Sequence, residues 1–257
     1  MAVAGEVFDK ANAGDIEAML ELVRYYAGDG HDHGKAMEWS DKAADSGSVN
    51  GMLYSILCHN ITAHGAEAIN GWDYAIENWR VCIDRISFLL HAQSEGIISL
   101  SAENLDMLEN QNEDAVYGIA LAKYMRNNGS KEDCEEILGM DIDNVSGRMR
   151  AIIALCLLEH RDTRNGYYEL QLLADDKSYN SAKKRDAEQV VYCTAMTTLA
   201  DIYRQGIDDY AFSDNTAAVE TLNKALNGIE NEGMRETLLE ELGHYHKRLF
   251  GGYKYIE

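Results

Sequence analysis

The tripeptide His31-Asp32-His33 places two imidazoles and a carboxylate within three residues, a set of side chains that can bind zinc. A catalytic zinc needs a third protein ligand held in a fixed geometry, and the chain has no His-Glu-x-x-His motif to supply it. Gly28 and Gly30 precede the tripeptide, and glycine tolerates the positive φ of tight turns. We therefore predict a surface loop, with a metal-dependent hydrolase that uses His31 and His33 as an alternative.

Other catalytic chemistry has less support in the sequence. A cysteine nucleophile needs a histidine beside it, and Cys58 next to His59 is the only adjacent pair. His244 and His246 would point to different faces of an expected helix, so this pair is not expected to form a set of metal ligands. The carboxylates at 132–143 lack the spacing of a calcium loop, and the chain has no Gly-rich phosphate loop or Gly-x-Ser-x-Gly motif. We predict no catalytic residue, no cofactor and no bound metal, so the chain is not expected to be an enzyme.

The elements that carry these residues are predicted to be helices. The chain contains no proline, a residue that breaks helix interiors and that accounts for about 5% of average protein composition. Alternation of β-branched and polar residues never persists beyond a few positions, so strand signals are poor. With 257 residues, 46% of them hydrophobic, the chain is long enough to bury a substantial core. These features predict an all-α fold.

The formal net charge is −21, from 44 acidic and 23 basic residues. Nucleic-acid affinity comes largely from Lys and Arg that neutralise phosphates, so this balance argues against nucleic acid as a partner. An anionic membrane surface is disfavoured for the same reason. The charge is consistent with a solubility device or with electrostatic steering of a basic partner.

The five cysteines are widely spaced and odd in number, without a Cys-x-x-Cys pair. A disulfide framework or a zinc site would need closer, paired spacing, so we predict small buried hydrophobic residues in a reducing compartment. The first residues have no basic segment followed by an apolar run, and no window approaches 18 apolar residues. The sequence thus predicts a cytoplasmic protein without a membrane span; its oligomeric state stays open.

A periodic pattern runs along the chain. Gly14, Ala18, Leu22 and Tyr26 are each four apart, which places them on one face of a helix. The same register recurs in three further segments, at Gly47, Gly51, Ser55 and His59, at Gly147, Ala151 and Leu155, and at Ala195, Leu199 and Tyr203.

A second helix follows the first in each copy. The segment 36–44, AMEWSDKAA, aligns without gaps to 218–226, AVETLNKAL. Weaker copies begin at Ala75 and Tyr167. The small residues allow two helices to approach closely, with Trp39 or Trp79 filling the space beside them. Each pair would bury its apolar face only by stacking on its neighbours.

These motifs resemble the Sel-one-like repeat, a relative of the tetratricopeptide repeat. The resemblance is carried by Gly14, Asp15, Ala18, Leu22, Tyr26, Gly28, Gly30, Lys35, Ala36, Trp39, Lys42, Ala43, Ala44 and Gly47. It implies an α/α superhelix of stacked helix hairpins in a single domain over 1–257. The expected repeats are 11–46, 47–90, 95–140, 145–176 and 187–228, with a C-terminal cap at 234–257; whether 95–140 is a degenerate repeat or an insertion stays open.

The resemblance also implies a function. It predicts a non-catalytic scaffold that binds a protein or peptide, with a basic partner as one option, in a groove lined by the first helix of each hairpin. An acidic decoy that occupies the nucleic-acid site of a basic protein is the alternative. Carried onto the repeats, the groove positions are Glu17, Leu20, Arg24, Asn50, Leu53, Asn60, Arg150, Ile153, Thr194, Thr197, Asp201 and Arg204.

Overall fold

The structure is a computed structural model that describes residues 5–140, 147–177, 179, 184–207, 211–248 and 251–256, with the backbone alone for 66–69. In these ranges the chain forms twelve helices and one small antiparallel strand pair. The bounds are α1 Gly5–Asn12, α2 Ile16–Ala27, α3 His33–Asp45, α4 Val49–Ile69, α5 Trp72–Ser94, α6 Ala102–Arg126, α7 Lys131–Leu138, α8 Gly147–His160, α9 Thr163–Asp175, α10 Asp186–Gln205, α11 Asn215–Asn227, α12 Glu232–Gly243, β1 Tyr245–Lys247 and β2 Tyr253–Tyr255. The predicted all-α class is confirmed.

Aspartate side chains begin several of these helices. The carboxylate of Asp15 accepts a hydrogen bond from the Ala18 amide at 3.0 Å, and Asp162 begins α9 in the same way. Asp214 accepts from two amides in the first turn of α11. Such caps satisfy amides that have no partner within the helix. A chain without proline therefore still marks its helix starts clearly.

Consecutive helices pack on one another across short connections. Contacts join α1 to α2, α2 to α3, α3 to α4 and α4 to α5, and likewise α7 to α8, α8 to α9 and α10 to α11. The helices thus form stacked hairpins, as predicted. The chain divides into two compact units, Met1–Ala122 (unit 1) and Lys123–Glu257 (unit 2). The assignment of the whole chain to a single domain stays a prediction.

The core of unit 1 is built from large aromatic and small side chains. Trp39 is 3% exposed and Ala43 is fully buried, and both belong to one cluster with Ala18 and Leu22. The predicted interior of the first hairpin is therefore confirmed. Phe8 packs edge-on against Trp39, with ring centroids 5.5 Å apart. It belongs to α1, a helix that the sequence pattern did not predict.

In unit 2, buried charges and thiols join the helices. Arg148 of α8 and Arg185 both contact the carboxylate of Glu188, which is 2% exposed. Cys134 of α7 and Cys156 of α8 are fully buried. All five cysteines are free and buried, so the prediction of buried hydrophobic thiols is confirmed.

The C-terminal region differs from the predicted helix. Residues Tyr245–Lys247 and Tyr253–Tyr255 pair as antiparallel strands, and β2 packs on α11. His246 lies on a strand, so the expectation that both histidines of this pair sit on a helix was wrong. The Nδ1 of His244 donates to the Ile256 carbonyl at 3.0 Å, which ties the end of α12 to the end of β2.

A membrane-spanning helix needs a length and an apolar character that none of the helices in the described ranges combines.

Candidate functional site

The loop at His31-Asp32-His33 serves to start α3. The Asp32 carboxylate accepts from the Lys35 amide at 3.0 Å, which makes it the N-cap, and His33 is the first helical residue. The hydrogen bond from the Lys35 amide lowers the Asp32 pKa. Both histidines are exposed. Within the described part of the chain, no three His, Cys, Asp or Glu side chains are grouped so that they could hold a metal ion.

The sequence interpretation attributed the positive φ of the turn before α3 to Gly28 and Gly30, and this attribution is wrong. Gly28 has φ −99°, and neither Gly28 nor Gly30 is in the left-handed region. His31 takes that conformation instead, with φ 43°. Gly30 is favoured for a different reason: a Cβ there would lie 3.0 Å from the Tyr25 ring and 3.1 Å from backbone atoms of Tyr25 and Tyr26, a close contact that these neighbours would have to relieve.

The adjacent Cys58 and His59 do not form a nucleophile pair. The His59 Nδ1 lies 2.6 Å from the Asn78 side-chain oxygen, and its Nε2 lies 3.1 Å from both carboxylate oxygens of Asp41. Both ring nitrogens therefore face oxygen atoms instead of the thiol. Burial raises the Cys58 pKa, which disfavours the thiolate.

A cleft of about 350 Å³ in unit 1 is lined by residues of three helices, α2, α4 and α6. We call it the unit-1 cleft. The residues that line it are Glu17, Leu20, Arg24, Asn50, Leu53, Tyr54, Leu57, Glu103, Asn104 and Met107. Each helix contributes a stretch of one face, because residues three or four apart lie on the same side of a helix.

A repeated polar and apolar pair gives the unit-1 cleft its chemistry. Each helix carries a polar residue followed, one turn later, by an apolar residue on the same face. The polar row is Glu17, Asn50 and Asn104, and the apolar row is Leu20, Leu53 and Met107. Leu20 and Leu53 are 2% and 8% exposed, whereas the Glu17 side chain is 82% exposed. The apolar row thus forms the floor and the polar row forms the rim.

Five of the six residues that the sequence placed on a groove in unit 1 line this cleft, Asn60 being the exception. Asn60 is 6% exposed; its side-chain oxygen accepts from Trp79 Nε1 at 2.8 Å and its amide donates to Gln111. Neighbouring helices thus cover this face of α4 at Asn60, two turns after Leu53. Leu57, one turn after Leu53, still lines the cleft.

The sequence interpretation named no groove residue on α6. Glu103, Asn104 and Met107 lie in the segment 95–140, where the repeat motif is barely visible. The usable signal was the spacing of Asn104 and Met107, which equals the spacing of Asn50 and Leu53. Amide and apolar residues three apart are too common for that match to be decisive without the structure.

Polar contacts in unit 1 connect four successive helices, α3 to α6. Asp41 of α3 accepts from Ser55 at 2.6 Å and contacts His59 on α4 and Arg85 on α5. Burial opposes ionisation of Asp41, but these partners outweigh it, so its pKa lies below the ordinary value. On the next pair of helices, His64 contacts Asp114 of α6 at 2.6 Å. The contact between His64 and Asp114 thus joins α4 to α6, two of the three helices that line the cleft.

A shallower depression of about 290 Å³ adjoins the unit-1 cleft and shares Glu17 and Arg24 with it. We call it the N-terminal depression. It adds Lys10, Asp15 and Glu21 to the charged lining. Lys10 is bonded to Glu6 at 2.8 Å and Arg24 lies 3.9 Å from Glu17, which is an exposed pair. Both cations of this surface thus have acidic neighbours.

In unit 2, most of the predicted groove residues are engaged with neighbouring side chains or with the backbone of their own helix. Arg150 pairs with Glu169 of α9 at 2.5 Å, and Arg204 pairs with Asp201 at 2.8 Å. The hydroxyls of Thr194 and Thr197 donate to carbonyls one turn earlier in α10. Ile153 is half-buried.

A separate cleft of about 370 Å³ in unit 2 is lined by residues that the sequence interpretation did not assign to the groove, among them Tyr168, Gln171, Tyr203, Glu220 and Lys224. Lys224 Nζ donates to the Ala174 carbonyl at 3.2 Å, which places this cation at the C-terminal end of α9. This cleft lies between α9, α10 and α11 and has a mainly polar lining.

Comparisons with known proteins give one finding. No family model matches the sequence, and no curated protein matches it. Among solved structures, the chain is similar to a Sel1 repeat protein from Oxalobacter formigenes, with 13% identity, 93% of this chain and 90% of that chain covered, and a TM-score of 0.24. The fold assignment rests on the helices and contacts described above and not on this likeness.

Proposed function

We propose that the chain is a non-catalytic scaffold whose unit-1 cleft binds a segment of another protein. The observation that carries the proposal is the repeated polar and apolar pair on α2, α4 and α6, which forms one lining from three separate helices. The volume of the unit-1 cleft, about 350 Å³, lies at the lower end of the range of about 300–1,000 Å³ for small-ligand pockets. A cleft of this size can hold a few side chains.

The bound segment would lie across the three helices. Amides at Asn50 and Asn104 can each donate to and accept from a peptide backbone, and an extended segment leaves its backbone groups available. The apolar row beneath them takes a side chain that leaves water, which supplies most of the binding free energy. Because the bonds of Asp41 and Asp114 tie α4 to α3, α5 and α6, we expect little ordering of these helices on binding.

The experiment compares capture of partners by the wild type and by two double variants. Asn50→Ala with Asn104→Ala removes both amides of the polar row, while Asn12→Ala with Asn110→Ala removes two exposed amides elsewhere in unit 1. Proteins recovered from a native extract are quantified by mass spectrometry, and the fold of each variant is checked by its melting temperature.

We expect a subset of proteins to be captured by the wild type and by the Asn12/Asn110 control but to fall by about tenfold with the cleft variant, which corresponds to two lost hydrogen bonds. Equal recovery with all three proteins would refute binding through the unit-1 cleft.

A further inference from the structure

We infer that the segment bound by the unit-1 cleft is cationic: an apolar side chain flanked by Lys or Arg, in an extended peptide. This inference rests on the proposed function, and it names the chemistry of the partner. It is carried by the distribution of charge between the two units and by the carboxylates at the cleft.

The negative charge is concentrated in the unit that contains the cleft. Residues 1–122 contain 20 acidic and 6 basic residues, a net charge of −14, whereas residues 123–257 contain 24 and 17, a net charge of −7. Solubility alone requires no such asymmetry. A surface potential of one sign raises the local concentration of oppositely charged segments and speeds their association.

Carboxylates also lie at the binding surface itself. Glu17 and Glu103 are on the rim of the unit-1 cleft, and both are exposed. The N-terminal depression, which adjoins it, adds Asp15 and Glu21.

Cations at the same surface do not balance these carboxylates. Lys10 is bonded to Glu6, which lies outside both linings, and Arg24 stands 3.9 Å from Glu17. The two linings together hold four carboxylates and two cations. An acidic segment would be repelled there, whereas Lys or Arg side chains would meet acceptors on either side of the apolar floor.

The apolar floor separates this surface from a purely electrostatic one. The side chains of Leu20 and Leu53 line the same cleft as Glu17 and Glu103 and accept no hydrogen bond, so a polycation without an apolar side chain leaves the floor unfilled. The expected ligand therefore needs both parts, and each part can be removed from a synthetic peptide independently.

Four labelled ten-residue peptides provide the test, measured by fluorescence polarisation. The lysine peptide has two central leucines flanked by four lysines. In the glutamine and glutamate peptides, the four lysines are replaced by glutamine or by glutamate. The glycine peptide keeps the four lysines and has glycine in place of both leucines. We expect the lysine peptide to bind most tightly and the glutamate peptide to bind weakest, with the difference shrinking between about 50 and 300 mM NaCl because salt screens exposed charges.

Two charge-matched variants locate the effect. Glu17→Gln with Glu103→Gln should weaken binding of the lysine peptide about fivefold, as expected for two exposed ion pairs. Glu236→Gln with Glu240→Gln removes the same charge from exposed positions of α12 and should change the affinity less than twofold.

The possible failures are distinguishable. If the glutamine peptide binds as tightly as the lysine peptide and loses its binding in the Asn50/Asn104 variant, the scaffold function stands and the cationic partner is wrong. If both charge variants weaken the lysine peptide equally, or the glycine peptide binds as well as the lysine peptide, the attraction is non-local and the inference is overturned. If the lysine peptide binds but the Asn50/Asn104 variant has no effect, the cleft itself is the wrong site.

Discussion

At the scale of single residues, the loop before α3 shows a backbone requirement where the sequence suggested a ligand set. The Asp32 carboxylate accepts a hydrogen bond from the first turn of α3. His31 has a left-handed backbone conformation, which glycine adopts more easily than a residue with a Cβ. Neither role needs an imidazole. His31 is thus a loop residue and His33 is the first residue of α3, and nothing in the structure explains why both are histidines.

A substitution at His31 tests this directly. His31→Gly should raise the free energy of unfolding by up to about 1 kcal/mol, because glycine adopts φ 43° without the steric cost that histidine pays. Urea denaturation measures the change. His33→Gly is the control. Because His33 is helical, glycine there should lower the free energy of unfolding by up to about 1 kcal/mol. A loss of stability in His31→Gly would mean that its side chain makes a contribution larger than the strain.

Trp39 gives the prediction for the core of the first hairpin. Trp39→Ala should lower the free energy of unfolding by about 3–5 kcal/mol, because it leaves a cavity beside Ala43 and removes the ring contact with Phe8. Phe212→Ala, at a side chain that is 89% exposed, should change it by less than about 0.5 kcal/mol. A cost below about 1 kcal/mol for Trp39→Ala, measured by urea denaturation, would contradict its burial.

At the scale of elements, the spacing between helices depends on single glycines. Gly51 lies where α4 crosses α3, and a Cβ there would come within 2.6 Å of the Ala44 nitrogen and 2.7 Å of the Ala43 carbonyl carbon. Backbone atoms of a packed helix cannot move aside cheaply. The close approach of α3 and α4 therefore requires glycine at this position, and the repeat places it four residues after Gly47.

Two alanine substitutions on the same helix should have opposite effects. Gly51→Ala should lower the free energy of unfolding by about 1–3 kcal/mol, because the added methyl group overpacks the contact between α4 and α3. Gly65→Ala, where a Cβ would meet nothing within 4 Å, should stabilise by up to about 1 kcal/mol through helix propensity. Thermal and urea unfolding of both variants measure the difference. Equal effects at the two positions would show that α3 and α4 are not in close contact at Gly51.

Asp41 couples three helices and makes a contribution that depends on pH. Its pKa in the folded state lies below the ordinary value of 3.8, so the folded state binds fewer protons than the unfolded state at acidic pH. The resulting stability is present above the unfolded pKa and is lost as the pH falls through the folded pKa.

We expect the free energy of unfolding of the wild type to fall between about pH 5 and pH 2, and to fall less steeply in Asp41→Asn. Asp45→Asn, at a side chain that is 80% exposed, is the control and should keep the slope of the wild type. Denaturation at a series of pH values gives both slopes. Parallel profiles for the wild type and Asp41→Asn would contradict the coupling of Asp41 to His59 and Ser55.

At the scale of the whole molecule, charge is the dominant feature. Both units are acidic, with net charges of −14 and −7, and many of the ion pairs within them are exposed. Exposed pairs each contribute about 0–1 kcal/mol, whereas self-repulsion acts over the whole compact state. Repulsion should therefore outweigh the pairs at low ionic strength.

Added salt should accordingly stabilise the protein. Between about 20 and 300 mM NaCl we expect the melting temperature to rise by about 2–4 °C, which corresponds to about 1 kcal/mol for a chain of this size. Differential scanning calorimetry measures the shift. A melting temperature that falls with added NaCl would show that attractive pairs such as Arg85–Asp41 outweigh the repulsion.

Features that depend on local spacing were predictable from the sequence. Residues four apart predict a shared helix face wherever they occur, so the hairpins and the interior positions of Trp39 and Ala43 followed from periodicity. The register of the repeat also carried Glu17 and Leu20 onto Asn50 and Leu53, and all four line the unit-1 cleft.

Features that depend on residues distant in the chain required the tertiary structure. The burial of Asn60 follows from contacts with Trp79 and Gln111, and the contribution of Asn104 and Met107 to the cleft follows from the position of α6. The strand pair after α12 forms because Tyr245–Lys247 and Tyr253–Tyr255 bond to each other. A helical period records which face a residue is on, but it does not record which element covers that face.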